Sequence, residues 1–83
     1  MELYLCKVWN GRTDEGWVDL GVFSSEANAL EAGGLYIVEN AVGVAHLLDW
    51  DESLPTLIYW YQDDQYNSFT RVVTKVTLDE RLA

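Results

Sequence analysis

The sequence predicts an α+β fold, a single small β-β-α-β-β domain in which a mostly antiparallel sheet carries one helix on one face. Three observations predict it. Segments near both ends alternate with the period of a half-buried strand. Between them a serine-capped run of helix formers places apolar residues three and four apart. Finally, 83 residues, 49% of them apolar, suffice for one modest core and no more. No linker or repeat divides the chain, so residues 1–83 read as one domain.

Glu2 to Trp9 sets Tyr4, Cys6 and Val8 against Leu3, Leu5 and Lys7, and Trp17 to Phe23 sets Val18, Leu20 and Val22 against Trp17, Asp19 and Phe23. The stretch Asn10-Gly11-Arg12-Thr13-Asp14-Glu15-Gly16 between them is rich in residues that tolerate positive φ, so the two strands read as a hairpin. Ser24-Ser25-Glu26 then announces a helix, with Phe23 placed to staple its first turn. Ala27, Leu30, Gly34, Ile37 and Ala41 share one helical face. Gly33-Gly34 oppose that helix, each costing about 1 kcal/mol relative to alanine in a helix interior. Either the helix runs through them because a glycine face lets it lie close on the sheet, or it ends there and Leu35 to Glu39 forms an extra strand; continuation is the reading taken.

Ala41 to Ser53 has no clear period, and a short turn of helix around Val44 to Leu48 is the expectation there. Leu57 to Tyr61 and the alternating Phe69 to Leu78 read as strands, joined by a loop from Gln62 to Ser68. Leu57 to Tyr61 is apolar or aromatic at every position, the pattern of a strand covered on both faces. One helix covers only one face. The second face, carrying some of Trp9, Trp17, Phe23, Trp60, Phe69 and Val73, therefore calls for cover by Ala41 to Leu54, by a second copy of the chain, or by a different protein.

Fourteen acids against five bases give a net charge of -9, and from Thr13 to Thr70 there is no Lys or Arg among eleven acids. Phosphate contacts need Lys or Arg, so direct binding of nucleic acid is disfavoured, as is an anionic membrane surface. A basic partner is what such a field attracts. The single cysteine and the lack of a secretion signal or a membrane-length apolar run predict a soluble protein of the reducing cytoplasm.

No residue pattern specifies a reaction, a cofactor or a metal. His46 has acids nearby at Asp49, Asp51 and Glu52 but no second histidine or cysteine at ligand spacing, and the acidic run lacks the glycine and later glutamate of a calcium loop. Cys6 lies mid-strand among apolar neighbours, the setting of a buried, inert thiol. No nucleophile elbow, phosphate loop or dinucleotide fingerprint occurs, so the chain reads as a non-enzyme without cofactor.

Leu20-Gly21-Val22-Phe23-Ser24-Ser25-Glu26-Ala27-Asn28-Ala29, after a first strand containing tyrosine, resembles a strand-to-helix junction, G-v-F/Y-S-S-x-x-x-A, of small uncharacterised phage and bacterial proteins. The resemblance covers roughly the first third of the chain, departs from the pattern at Asn28-Ala29 and in the insertion from Ala41 to Ser53, and transfers no functional residue. It implies a small β-β-α-β type fold and a phage origin. Together with the charge and the surplus rings, it yields the expected function. That is a phage-encoded inhibitor, of anti-CRISPR or anti-restriction type, of a basic nucleic-acid-handling host protein. The expected partner-binding residues are Asp14, Glu15, Trp17, Asp49, Asp51, Glu52, Trp60, Asp63, Asp64 and Tyr66. A self-associating module with an aromatic homodimer interface and a small-ligand-binding protein are the alternatives.

Overall fold

The computed structural model describes residues 1–78. The elements run β1 (Glu2–Asn10), β2 (Gly16–Phe23), α1 (Glu26–Asn40), β3 (His46–Asp51), β4 (Thr56–Gln62) and β5 (Ser68–Thr77). All pairings are antiparallel, in the sheet order β2-β1-β5-β4-β3. The α+β class and the order of the four expected strands around one helix are as the sequence predicts. The sheet gains a fifth strand, not from Leu35 to Glu39, which is helical, but from His46 to Asp51. It replaces the short turn of helix that the sequence suggests around Val44 to Leu48 and takes in part of the acidic run that follows. It escapes a period-2 reading because a bulge between Leu47 and Asp49 shifts its alternation, and every residue in it is exposed.

Ser25 caps α1, its side chain accepting a hydrogen bond from the Asn28 N–H at 3.1 Å. The helix runs through Gly33-Gly34 to Asn40, and the buried face is Ala29, Gly33 and Ile37, four residues apart. This face is rotated from the expected one, and Ala27 points to water. It rests on the side of the sheet formed by Cys6 and Val8 of β1, Leu57 of β4, and Phe69 and Val73 of β5, with Leu20 and Phe23 of β2 closing the margin. At Gly33 a Cβ would lie 2.6 Å from Cδ of Arg71 and 3.1 Å from Sγ of Cys6, so the glycine gives the helix its close approach.

Arg71 fills that space. Its Nη1 donates to the Leu30 carbonyl at 2.9 Å, and its guanidinium lies 4.4 Å from the Tyr59 ring centre and 5.5 Å from that of Tyr61. Its Nε is buried with no hydrogen-bond partner, and the two ring faces supply the compensating negative potential. The arginine thus bolts α1 to the sheet at the line where the helix stops covering it. α1 packs over β1, β5 and β2 and does not reach across β4 or β3.

At one end of the sheet, the turn after β4 is tied to the segment after α1. Asp63 is 3% exposed, and its carboxylate accepts from the N–H groups of Val42, Gln65 and Asn67 and from the Asn67 amide, all at 2.9 Å. Asp64 accepts from the Val44 N–H at 2.9 Å and pairs with His46 at 2.8 Å. Nearby, buried Asn10 donates to the Tyr36 hydroxyl at 3.0 Å and accepts from the Arg12 N–H at 3.0 Å. No helix among the described residues is long and apolar enough to cross a membrane.

Candidate functional site

The opposite side of the sheet carries no helix, and nothing among the described residues lies across it. The stretch Ala41 to Leu54, one expected cover, cannot serve, because it is spent in the strand β3 at the sheet's edge. The doubly covered reading of β4 is corrected accordingly: Leu57 is buried in the core on the helix side with Cys6, Ala29 and Val73, whereas Trp60 stands 37% exposed on the open side. Of the residues expected on the second face, Trp9, Trp17 and Trp60 are there, while Phe23, Phe69 and Val73 belong to the core.

Strand registers fix how this open face is laid out, since residues directly opposite on neighbouring strands project to the same side. One row crosses the whole sheet as Trp17, Trp9, Thr70, Trp60 and Asp49. The next runs Asp19, Lys7, Val72, Ile58 and Asp51, and a third Val22, Leu5, Thr74 and Thr56. The face is therefore apolar in the middle and acidic at both margins, with Asp19 on the β2 side and Asp49 and Asp51 on the β3 side. Within the first row Trp9 and Trp17 meet edge to face, ring centres 5.6 Å apart at 72°, and the Lys7 ammonium sits 4.4 Å from the Trp17 ring centre. A hollow of about 630 Å³ lies over the first two rows. Apolar exposure continues into the third, where Leu5 is 42% and Val22 57% exposed.

The expected partner-binding residues fall into three places. Trp17, Trp60, Asp49 and Asp51 come together on the open face. Asp14 and Glu15 are exposed in the β1–β2 loop, which lies at the same end as the β4–β5 turn because Asn10 pairs with Phe69 and the Gly11 N–H donates to Ser68. Tyr66 is 81% exposed in that turn. Glu52 is at the far end and accepts from the Tyr59 hydroxyl at 2.9 Å. Asp63 turns inward and its carboxylate is consumed by backbone donors, so it has nothing left to present to a partner. Asp64 remains exposed but is engaged with Val44 and His46. The sequence marks Trp9 as a second-face ring without a partner role, and nothing in it singles out Lys7, Asp19 or Thr70 as partner-binding. The odd-numbered alternation of β1 is the signal that pairs Lys7 with Trp9; the cross-strand registers that join them to Thr70 and Trp60 are not local properties of any segment.

Electrostatics sort the remaining titratable groups. Burial raises the Cys6 thiol above its ordinary value, outweighing the nearby Arg71 charge and a backbone hydrogen bond from Gly33. Burial also acts to raise Asp63, but the hydrogen bonds from Val42, Asn67 and Gln65 win and bring it down to about 2. The Val44 N–H, followed by His46, holds Asp64 below the usual carboxylate range. Burial, reinforced by Glu52, lifts the Tyr59 hydroxyl. No group of three or more metal-ligating side chains occurs among the described residues. No family model, curated protein or solved structure matches the chain.

Proposed function

We propose that the chain is a non-enzymatic protein-binding module whose open sheet face receives a basic protein, in the manner of a phage-encoded inhibitor acting on a nucleic-acid-handling host protein. The observation that carries this reading is the uncovered face itself: three tryptophans and an apolar centre between acidic margins, on a chain of net charge -9. Buried rings supply most of the energy of such interfaces, and margin charges select the partner and hasten its approach. The exposed Asp14, Glu15 and Glu52 extend the acidic surface beyond the face, and Tyr66 adds an exposed ring. A second copy of the chain is the poorer occupant, because facing copies would set like margins and two net charges of -9 against each other.

The test is capture of basic host proteins by the wild-type chain and by a Trp9→Ala/Trp60→Ala variant, each at rising salt and with duplex DNA as competitor. The reading predicts a basic protein held by the wild type, released by salt and by DNA, and lost with the two rings. Capture that survives loss of both rings, or that ignores salt, overturns it.

A further inference from the structure

Asn10-Gly11 is the one Asn-Gly pair in the chain; Asn28 and Asn40 precede alanine, and Asn67 precedes serine. Glycine leaves the backbone nitrogen after an asparagine unshielded by a Cβ and free to take the conformations that ring closure requires. In an open chain that nitrogen, once it loses its proton, attacks Cγ of the asparagine. The N–Cγ bond forms, the Cγ–Nδ2 bond breaks and ammonia leaves, so that a five-membered imide replaces the amide. Water then opens the ring without any change of oxidation state. Addition at Cγ gives aspartate, and addition at the main-chain carbonyl gives an isoaspartyl linkage.

The fold holds both residues of this pair in place. Asn10, 1% exposed, closes β1 opposite Gly16 on one side and Phe69 on the other. A Cβ at Gly11 would run into the Ser68 backbone, 3.2 Å from its nitrogen and closer still to its carbonyl oxygen, so the glycine is required there. The Gly11 N–H, the group that must lose its proton, donates to the Ser68 carbonyl at 2.8 Å. The Asn10 Nδ2, the leaving group, donates to the Tyr36 hydroxyl at 3.0 Å, and burial keeps bulk base and water away. The bond from the Arg12 N–H to Asn10 Oδ1 at 3.0 Å works the other way, drawing electron density from Cγ and readying it for attack. The brake therefore lies in the contacts with Ser68 and Tyr36, and both break when this end of the sheet opens. We propose that Asn10 is a site of spontaneous deamidation held off by the native fold, a chemical clock that runs only while the sheet end around Asn10 is open. The isoaspartyl product adds one carbon to the backbone between Trp9 and Gly11. The register that Asn10 shares with Gly16 and Phe69 is then lost, and the chain stays out of the native state. The aspartate product is milder, since the Tyr36 hydroxyl turns to donate to the new carboxylate and the Arg12 N–H still reaches it.

The experiment incubates the full chain at mildly alkaline pH, native and in denaturing guanidinium chloride. Trypsin then releases Val8 to Arg12 as one peptide, in which amide loss is read by mass and isoaspartate by isoaspartyl-specific methylation. The denatured chain should lose the Asn10 amide, largely to isoaspartate, while Asn28, Asn40 and Asn67 keep theirs; the native chain should keep all four. Native Tyr36→Phe should lose the Asn10 amide at least about fivefold faster than native wild type. In denaturant Tyr36→Phe should match the wild type and Gly11→Ala should be much slower, which separates the chemistry from any effect on folding. On dilution from denaturant, chains with Asn10 intact and the Asn10→Asp variant should regain native tryptophan fluorescence, and isoaspartyl chains should not. An Asn10 no more labile than the other asparagines in denaturant overturns the site. Equal rates with and without denaturant, or native Tyr36→Phe no faster than wild type, overturn the brake, and isoaspartyl chains that refold overturn the clock.

Discussion

Replacing Gly33 and Gly34 singly by alanine should move stability in opposite directions, although both lie in the interior of the same helix. Alanine is worth about 1 kcal/mol over glycine at an interior helical position, and by propensity alone both variants gain that much. At Gly33 the new methyl would sit 2.6 Å from Cδ and 2.8 Å from Cγ of Arg71 and 3.1 Å from Sγ of Cys6. These are mid-chain atoms of a side chain held by the Leu30 carbonyl and two tyrosine rings, so they have little room to retreat. Overpacking of this kind costs about 1–3 kcal/mol, leaving Gly33→Ala destabilised by about 0–2 kcal/mol. At Gly34 the sole near contact is Nη1 of Arg71 at 3.2 Å, the far end of the side chain, which can swing aside. Even if its hydrogen bond weakens, a loss of about 0.5–1 kcal/mol, Gly34→Ala should be neutral to stabilised by about 0.5 kcal/mol. Urea unfolding followed by far-UV circular dichroism measures both. Adding Arg71→Ala should rescue Gly33→Ala, giving a coupling energy of about 1–3 kcal/mol in the first cycle and at most about 0.5–1 kcal/mol in the second. If Gly33→Ala is as stable as Gly34→Ala, the argument that Gly33 exists to seat Arg71 is wrong.

Three further outcomes follow from the same structure. Asp63 has an ordinary value of 3.8 and a folded value of about 2, so the folded state binds fewer protons between them; its contribution is fully present above about 4 and is lost as pH falls through about 2. Urea midpoints between these limits should therefore rise with pH, and Asp63→Asn should flatten the rise and lower stability more than amide replacement of exposed Asp14 or Glu15. Tyr36→Phe leaves the buried Asn10 amide short of its acceptor and should cost about 1–3 kcal/mol by chemical denaturation, with the fold retained. Cys6, 2% exposed and raised in pKa by burial, should resist an aromatic disulfide reagent at neutral pH in the native state and react at once in urea, whereas rapid native reaction would contradict its placement beneath Gly33.

The elements whose partners are periodic were legible in the sequence. Alternation in β1, β2 and β5 reports a sheet with one packed side, and the Ser25 cap and the small residues after it report α1. The helix continues through Gly33-Gly34 for a tertiary reason, the seating of Arg71, which lies 38 residues away from Gly33 and leaves no local trace. β3 was missed because its bulge at Leu47 to Asp49 breaks the alternation and because its role is to extend an edge, which requires no buried residue. The acids after β4 read in the sequence as partner-binding residues of an acidic loop. Asp63 and Asp64 in fact reach back to the N–H groups of Val42 and Val44, a use of carboxylate that charge counting does not reveal. The sequence offers Trp17 and Trp60 as second-face rings and Asp49 and Asp51 as loop acids; the registers put all four on one face. Only the registers show that Thr70 stands between Trp60 and Trp9 on that face.

If a basic partner docks on the open tryptophan face, and not on the helix side or an edge, it should perturb some of the four tryptophans and spare the other. The most direct measurement follows the four indole N–H signals on addition of an unlabelled basic protein captured as above. Trp50 pairs with Tyr59 and so projects to the helix side, which makes it the internal control. The account predicts large shifts or broadening at Trp9, Trp17 and Trp60 with Trp50 nearly unchanged; perturbation centred on Trp50, with the other three unmoved, would contradict it.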